Sequence, residues 1–175
     1  MERRGTINHH EETKSMFSVN IDGIETRYQV LGDGPALLMY APGGFDARME
    51  QWTNLGVYRR IKLLDHLPKK YQCILFDRRE NGASGGRVEQ ITWNHYVRQG
   101  VGLLDVLGVE KAHIMGGCMG CCPVAAFGVT HPGRVLSMVH YWPVGGAKFR
   151  ISGHQRFARH LAFVEEVGLQ GVVEL

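Results

Sequence analysis

The sequence lacks several features that identify whole classes of protein. No apolar run approaches the roughly 20 residues that a bilayer-spanning helix needs. Neither sign of charge dominates, because 20 Lys and Arg stand against 17 Asp and Glu. No basic run is interleaved with aromatic residues, as a nucleic-acid surface requires, and the charged residues 1–15 precede no apolar stretch, unlike a signal peptide. We therefore expect neither nucleic acid nor a membrane among the partners.

Cysteine is also scarce, and its placement is uneven. The chain has four cysteines, and three of them, Cys118, Cys121 and Cys122, fall within one short stretch. This clustering is unlike a secreted disulfide framework, so we expect a reducing cytoplasm. No second ligand pair accompanies Cys118 and Cys121 at a spacing typical of zinc sites. We predict no metal and no cofactor.

The pattern of apolar residues predicts an α/β fold. Alternating segments at Phe17–Ile21 and Thr26–Val30 flank Asp22-Gly23 and predict a β-hairpin. Ala36–Ala41 is continuously apolar, as expected of a strand buried on both faces. Further strands are predicted at Tyr71–Phe76, Ala112–Met115 and Val135–Tyr141. The segments with helical spacing or composition are Tyr58–Leu67, Thr92–Leu107, Val124–Val129 and Arg150–Val167. Strands that alternate with helices after an N-terminal hairpin predict a mostly parallel sheet.

Three glycine-rich loops each follow a predicted strand, at 42–46, 77–86 and 116–120. Ligands of such sheets bind at the carboxyl ends of the strands. The three loops therefore predict one shared binding site.

The loop Gly116-Gly117-Cys118-Met119-Gly120 lies between a predicted strand and a predicted helix. A Gly-x-nucleophile-x-Gly turn in this context holds its central residue at the tip, and side chains at the outer glycines would clash. The following helix directs its N-terminus at the central residue. Packing does not explain a side chain on so strained a turn, so Cys118 is the candidate catalytic residue.

With these motifs in order, the stretch from about Phe17 to Tyr141 resembles the α/β-hydrolase family. Ala41-Pro42-Gly43-Gly44-Phe45, followed by Trp52, is similar to the family's oxyanion loop. The segment 77–84 is similar to the family pattern Asp-x-Arg-Gly-x-Gly-x-Ser, with Glu80 in place of a glycine. Gly116-Gly117-Cys118-Met119-Gly120 stands where relatives have Gly-His-Ser-Met-Gly.

The resemblance implies a hydrolase that attacks a small carbonyl substrate, an ester, a thioester or a carbon–carbon bond. Cys118 would be the nucleophile, because helix N-termini favour thiolates and an acyl-thioenzyme is a good intermediate. The oxyanion would be held by the backbone N–H of Met119 and by that of Gly44 or Phe45. The implied partner is a small-molecule substrate. Homo-oligomer formation is neither implied nor excluded.

The family's triad follows the order nucleophile, acid, histidine, and this chain does not supply it. The acids after Cys118 are Glu165, Glu166 and Glu174, and the later histidines are His131, His140, His154 and His160. The strands that carry the acid and base in relatives are missing. We therefore expect the N-terminal part of a longer hydrolase: a disordered lead-in at 1–16, the core at 17–148 and the start of a helical cap at 149–175.

Two alternatives remain open at this point. The missing acid and base are compatible with a catalytically silent scaffold of the hydrolase fold. Cys118-Met119-Gly120-Cys121 also has the Cys-x-x-Cys spacing of thiol-redox proteins. Against the second alternative, we expect Cys121 and Cys122 to be small buried helix residues, and we expect Asp77 and Arg79 to hold their loop to its neighbours.

Overall fold

The computed structural model describes residues 16–144 and 147–173. All but the last residue of the lead-in predicted at 1–16 lies outside the described residues. Within these described ranges, six strands form one sheet in the order β1-β2-β4-β3-β5-β6. They are β1 (Phe17–Ile21), β2 (Ile24–Leu31), β3 (Ala36–Tyr40), β4 (Gln72–Phe76), β5 (Ala112–Gly117) and β6 (Val135–Tyr141).

The sheet is antiparallel at one side and parallel elsewhere. β2 runs antiparallel to β1 and to β4, whereas β4, β3, β5 and β6 are mutually parallel. Asp22 and Gly23 both have positive φ, 54° and 72°, as a two-residue hairpin turn requires. The predicted fold class, a mostly parallel sheet with an N-terminal hairpin, is confirmed.

In the part of the chain that the structure describes, five α-helices accompany these strands. They are α1 (Gln51–Asn54), α2 (Gly56–Ile61), α3 (Trp93–Val106), α4 (Cys121–Thr130) and α5 (Ala147–Val173), the last interrupted by a non-helical Gly168. The helix predicted from Tyr58 to Leu67 is wrong in its second half. Lys62 adopts a left-handed φ of 50°, which ends α2, and two short 3₁₀ turns follow it. None of the described helices is long and apolar enough to cross a membrane.

The central strands are buried on both faces. In β3, Leu38 and Tyr40 join one hydrophobic cluster, and Leu37 and Met39 join the other, because alternate side chains of a strand point to opposite faces. The first cluster is completed by residues of α3 and α4: Val97, Leu103, Leu104, Val124 and Phe127. The second is covered by Trp52 of α1 and its neighbours. β3 is therefore covered on both faces, as expected from its continuously apolar sequence.

The ends of three neighbouring parallel strands coincide. In the sheet register, Tyr40 at the end of β3 lies opposite both Phe76 of β4 and Gly116 of β5. The loops 42–46, 77–86 and 116–120 therefore leave the same edge of the sheet, as the sequence predicted.

Candidate active site at the Cys118 turn

Cys118 occupies a strained turn between β5 and α4. Its φ is 52°, in the left-handed region that costs an ordinary residue about 1–2 kcal/mol. A Cβ on Gly116 would collide with the carbonyl oxygen of Gly120, and a Cβ on Gly120 would collide with that of Tyr40. Both outer glycines are thus required by close backbone approach, and the tight turn predicted from the sequence is present.

A cavity of about 720 Å³ lies beside this turn. Its lining comes from several segments: Gly44, Phe45, Arg78, Ile91, Thr92, Trp93, Tyr96, Met119, Arg156 and Phe157. Three of these, Gly44, Phe45 and Met119, are the residues predicted to hold an oxyanion. The structure thus brings all three to one cavity, whose described lining contains Met119 but not its neighbour Cys118. The oxyanion role itself stays a prediction.

The other two thiols of the cluster, those of Cys121 and Cys122, are wholly or partly shielded from solvent. Cys121 is buried, and its Sγ donates a hydrogen bond to the carbonyl oxygen of Gly116 at 3.1 Å. Burial raises the pKa of Cys121 to about 11 and also raises that of Cys122. All four cysteines are free thiols. Cys121 is therefore a small buried helix residue, as predicted, which stays protonated at neutral pH. Cys122, which was predicted to be buried as well, is only half-buried.

Tyr58 packs against Gly117 in the Cys118 turn, a role that sequence patterns did not indicate. It is almost fully buried, with its ring edge-on to Trp52 at 5.3 Å. Its hydroxyl donates to the carbonyl oxygen of Tyr141 at 3.3 Å and occupies the space that a Cβ on Gly117 would need. Burial raises the pKa of Tyr58, so the phenol is neutral. This contact explains the glycine directly before Cys118.

The loop 77–86 is held to its surroundings by polar contacts. The fully buried carboxylate of Asp77 accepts hydrogen bonds from the backbone N–H of Met49 at 2.8 Å and of Ala83 at 2.9 Å. It also pairs with the Arg27 guanidinium at 3.0 Å. Asn81 Oδ1 accepts from the backbone N–H of Ala47 at 2.7 Å. The predicted role of Asp77 in holding the loop is confirmed.

Arg79 and Glu80 complete this attachment. Arg79, 2% exposed, pairs with Glu80 at 2.8 Å and also with Glu89. Its predicted role in the loop is likewise confirmed. Glu80 has a φ of 63°, which explains why the resembling pattern has glycine there. The ion pair with Arg79 offsets part of the backbone strain at Glu80.

Arg78 is the cavity residue that sequence reasoning missed. It is buried, and its Nη2 donates to the carbonyl oxygens of Gly43 at 2.7 Å and Gly44 at 2.8 Å. Its guanidinium lies 5.0 Å above the centre of the Tyr96 ring. Among the described residues, its Nε has no hydrogen-bond partner. The sequence signal that could have identified Arg78 was a second arginine directly after a buried strand. It stands at the middle position of the Asp-x-Arg pattern, where the pattern specifies no residue type.

None of the described histidines and acids that follow Cys118 lines the cavity, although the ring of His160 lies 6.1 Å from that of the cavity residue Phe157. His131 shares a hydrogen bond with Thr130 at the end of α4, and His140 is exposed on β6. His154 and His160 are on α5, as are Glu165 and Glu166; Glu174 lies outside the described residues. Among the described residues, no group of three or more His, Cys, Asp or Glu side chains could hold a metal ion.

Known proteins resemble this chain over most of its length. Residues 36–145 match the family described as alpha/beta hydrolase fold. The chain is 29% identical over 126 residues to the dihydrolipoyllysine-residue acetyltransferase component of an acetoin cleaving system from Cupriavidus necator, covering 72% of this chain and 31% of that protein. It is also 29% identical over 140 residues to a 2-hydroxy-6-oxononadienedioate/2-hydroxy-6-oxononatrienedioate hydrolase from Paraburkholderia phymatum, covering 77% of this chain and 46% of that protein.

Solved structures agree on the fold. A hydrolase from Pseudomonas aeruginosa superposes with a TM-score of 0.65 at 20% identity, over 87% of this chain and 54% of that one. An epoxide hydrolase mutant from Vigna radiata gives 0.63 at 24% identity, over 74% and 38%. The chain thus spans about a third to a half of the length of the curated relatives described above.

Proposed function

This chain belongs to the alpha/beta hydrolase fold family, and from that premise we propose that it carries the nucleophile and oxyanion loops of a hydrolase that acts on small carbonyl compounds. One observation carries the proposal. Cys118 sits at positive φ on the glycine-bounded turn between β5 and α4, beside a cavity large enough for a small molecule. A strained backbone at such a position is typical of functional sites.

The proposed reaction begins with attack of the Cys118 thiolate on the substrate carbonyl carbon. A carbon–sulfur bond forms, and the π electrons of the carbonyl move onto its oxygen. The backbone N–H of Met119 and that of Gly44 or Phe45 hold this oxyanion. The tetrahedral intermediate then collapses, and the leaving group departs with the proton that the Cys118 thiol gave up on ionising, which leaves an acyl-thioenzyme. Water cleaves the carbon–sulfur bond of that thioester and releases the acid and the thiol.

The substrate bond is an ester, a thioester or a carbon–carbon bond next to a carbonyl group. The relative from Paraburkholderia phymatum is named as a hydrolase of an oxo-dioate, which is a carbonyl compound of this kind. We assign the catalytic acid and histidine to a part of the protein outside this chain, because the chain spans less than half of either curated relative. The substrate of the full-length enzyme is therefore part of what we propose.

The surroundings of Cys121 favour hydrolysis over thiol-disulfide exchange. In a Cys-x-x-Cys redox site, the second thiol attacks the mixed disulfide that the first has formed. Here Cys121 is buried and donates its hydrogen bond to the carbonyl of Gly116. Its raised pKa keeps the thiol protonated. Both properties oppose a role as the attacking thiolate.

A catalytically silent scaffold is the second candidate. The observation in its favour is that no histidine or acid among the described residues lines the cavity beside Cys118. Such a protein would keep the fold and the cavity without forming a bond to a substrate.

First-turnover release of p-nitrophenolate from p-nitrophenyl acetate tests the proposal. The parent chain should release up to one equivalent of p-nitrophenolate, and this release should be faster than hydrolysis of the ester in buffer. Cys118→Ala should reduce the rate to the buffer level, whereas Cys121→Ala, the matched control, should keep it within about threefold. An unchanged rate in Cys118→Ala excludes the nucleophile. A loss in Cys121→Ala as large as in Cys118→Ala, with both variants folded, favours the redox alternative, and a folded parent without release favours the scaffold.

A further inference from the structure

Two arginines next to each other in the chain are both buried, yet only one is paired with acids. Arg79 forms ion pairs with Glu80 and Glu89. Arg78 has no carboxylate partner among the described residues; its Nη2 contacts two neutral carbonyl groups, those of Gly43 and Gly44. A positive charge has therefore been taken out of water without a compensating negative charge in the described part of the protein.

The surroundings of Arg78 do not remove that charge. Burial lowers the pKa of Arg78, and the groups that act to raise it are the phenols of Tyr96 and Tyr40 and the thiols of Cys122 and Cys118. A guanidinium remains protonated in proteins even so. The face of the Tyr96 ring at 5.0 Å stabilises the cation in part. A buried charge without a counterion is costly, so the site is suited to an anion that comes from outside.

The cavity beside Cys118 is where such an anion would enter. Arg78 lines it, and most of the remaining lining is apolar or aromatic, including Phe45, Ile91, Trp93 and Phe157. A ligand that matches this lining has an apolar body and one negatively charged group. Because Nη2 already donates to the carbonyls of Gly43 and Gly44, a carboxylate would accept charge-assisted hydrogen bonds from the remaining N–H groups of the guanidinium.

We propose that Arg78 binds a carboxylate of the substrate, so that the carbonyl compounds bound in this cavity are anions with an apolar body. The substrate class rests on the function proposed above. The binding itself does not require the thiol of Cys118, and this difference allows the two proposals to fail separately.

A matched pair of ligands tests this assignment. The probes are 3-phenylpropionate and 3-phenylpropanamide, which differ in charge but hardly in shape, with affinities measured by calorimetry and by the fluorescence of the cavity residue Trp93. We expect the parent chain to bind the acid at least about tenfold more tightly than the amide. Cys118→Ala should keep this preference, whether or not Cys118 proves to be a nucleophile.

Substitutions separate a charge contact from a supporting role. Arg78→Gln retains an N–H donor for the carbonyls of Gly43 and Gly44 but removes the charge, so it should abolish the preference for the acid while leaving the affinity for the amide within about twofold. Arg78→Lys should keep part of the preference, and it remains informative if Arg78→Gln does not fold. The control is Arg156→Met, which removes the exposed second arginine of the cavity lining and should leave both affinities unchanged.

Five outcomes would overturn the proposal. The parent could bind both probes equally or bind neither at millimolar concentration. Arg78→Gln could weaken the acid and the amide to the same extent, which would identify Arg78 as a support for the Gly43–Gly44 loop only. Arg156→Met could remove the preference, which would assign the anion to α5. Finally, inorganic phosphate could compete with 3-phenylpropionate more strongly than acetate does, which would exclude a carboxylate as the preferred anion.

Discussion

At the scale of single residues, the turn around Cys118 requires residues that have no Cβ atom. Gly116, Gly117 and Gly120 each stand where a Cβ would collide with a backbone carbonyl or with the Tyr58 hydroxyl. The glycines at both ends were predicted from the pattern. The middle one was not, because its cause is the hydroxyl of Tyr58, which approaches from another part of the chain.

Gly120→Ala tests this packing. The added Cβ meets the carbonyl oxygen of Tyr40, which cannot move away without displacing β3, so we expect the free energy of unfolding to fall by about 1–3 kcal/mol. Urea unfolding monitored by tryptophan fluorescence measures the change. Gly133→Ala is the control: open space surrounds Gly133, and its substitution should change stability by no more than about 0.5 kcal/mol. Equal effects of the two substitutions would show that the turn is not closely packed.

Arg78 shows a second limit of sequence reasoning at this scale. The pattern Asp-x-Arg predicted the structural roles of Asp77 and Arg79, since a buried strand end needs polar contacts to hold the loop after it. Whether the arginine at the open position, Arg78, is paired with an acid depends on which carboxylates the fold brings near it. Arg79 meets Glu80 and Glu89, whereas Arg78 meets the carbonyls of Gly43 and Gly44. Only the folded chain distinguishes these two arginines.

At the scale of elements, strand β6 has an unusual exposure. It pairs with β5 and lies at the edge of the described sheet, and three of its apolar side chains, Leu136, Met138 and Val139, are 52%, 47% and 41% exposed. An exposed apolar edge strand is a template for pairing with another chain. The homo-oligomer that the sequence left open is therefore a proposal with a definite surface.

The substitution Val139→Lys tests this surface. A charge on an edge strand opposes strand addition, so we expect the parent chain to associate as its concentration rises and Val139→Lys to shift it towards the monomer. Light scattering coupled to size-exclusion chromatography at several concentrations measures the mass. Val88→Lys replaces a fully exposed loop residue and should leave association unchanged. A parent that is monomeric at every concentration, or a Val139→Lys variant that associates like the parent, would contradict the role of β6.

At the scale of the whole molecule, periodicity and motif order were enough to predict the fold. Period-two alternation located the hairpin, and continuous apolar runs located β3 and β4, because a parallel strand covered on both faces has no polar side. The end of α2 at Ile61 was not predictable, since the helical spacing continues to Leu67 and the left-handed backbone of Lys62 stops the helix. Part of the cavity lining also escaped prediction, because Arg156 and Phe157 reach it from α5 far along the chain.

The central claim is that Cys118 forms a covalent bond with a carbonyl compound, and the site of acylation tests it most directly. After brief exposure to p-nitrophenyl acetate, the chain is digested at acidic pH and its peptides are mapped by mass spectrometry. We predict one acetyl group on Cys118 in the parent and in Cys121→Ala, because the thiol of Cys121 is buried and protonated. Acetylation of Cys122 or of surface lysines in place of Cys118, or its persistence in Cys118→Ala at the parent level, would contradict the account.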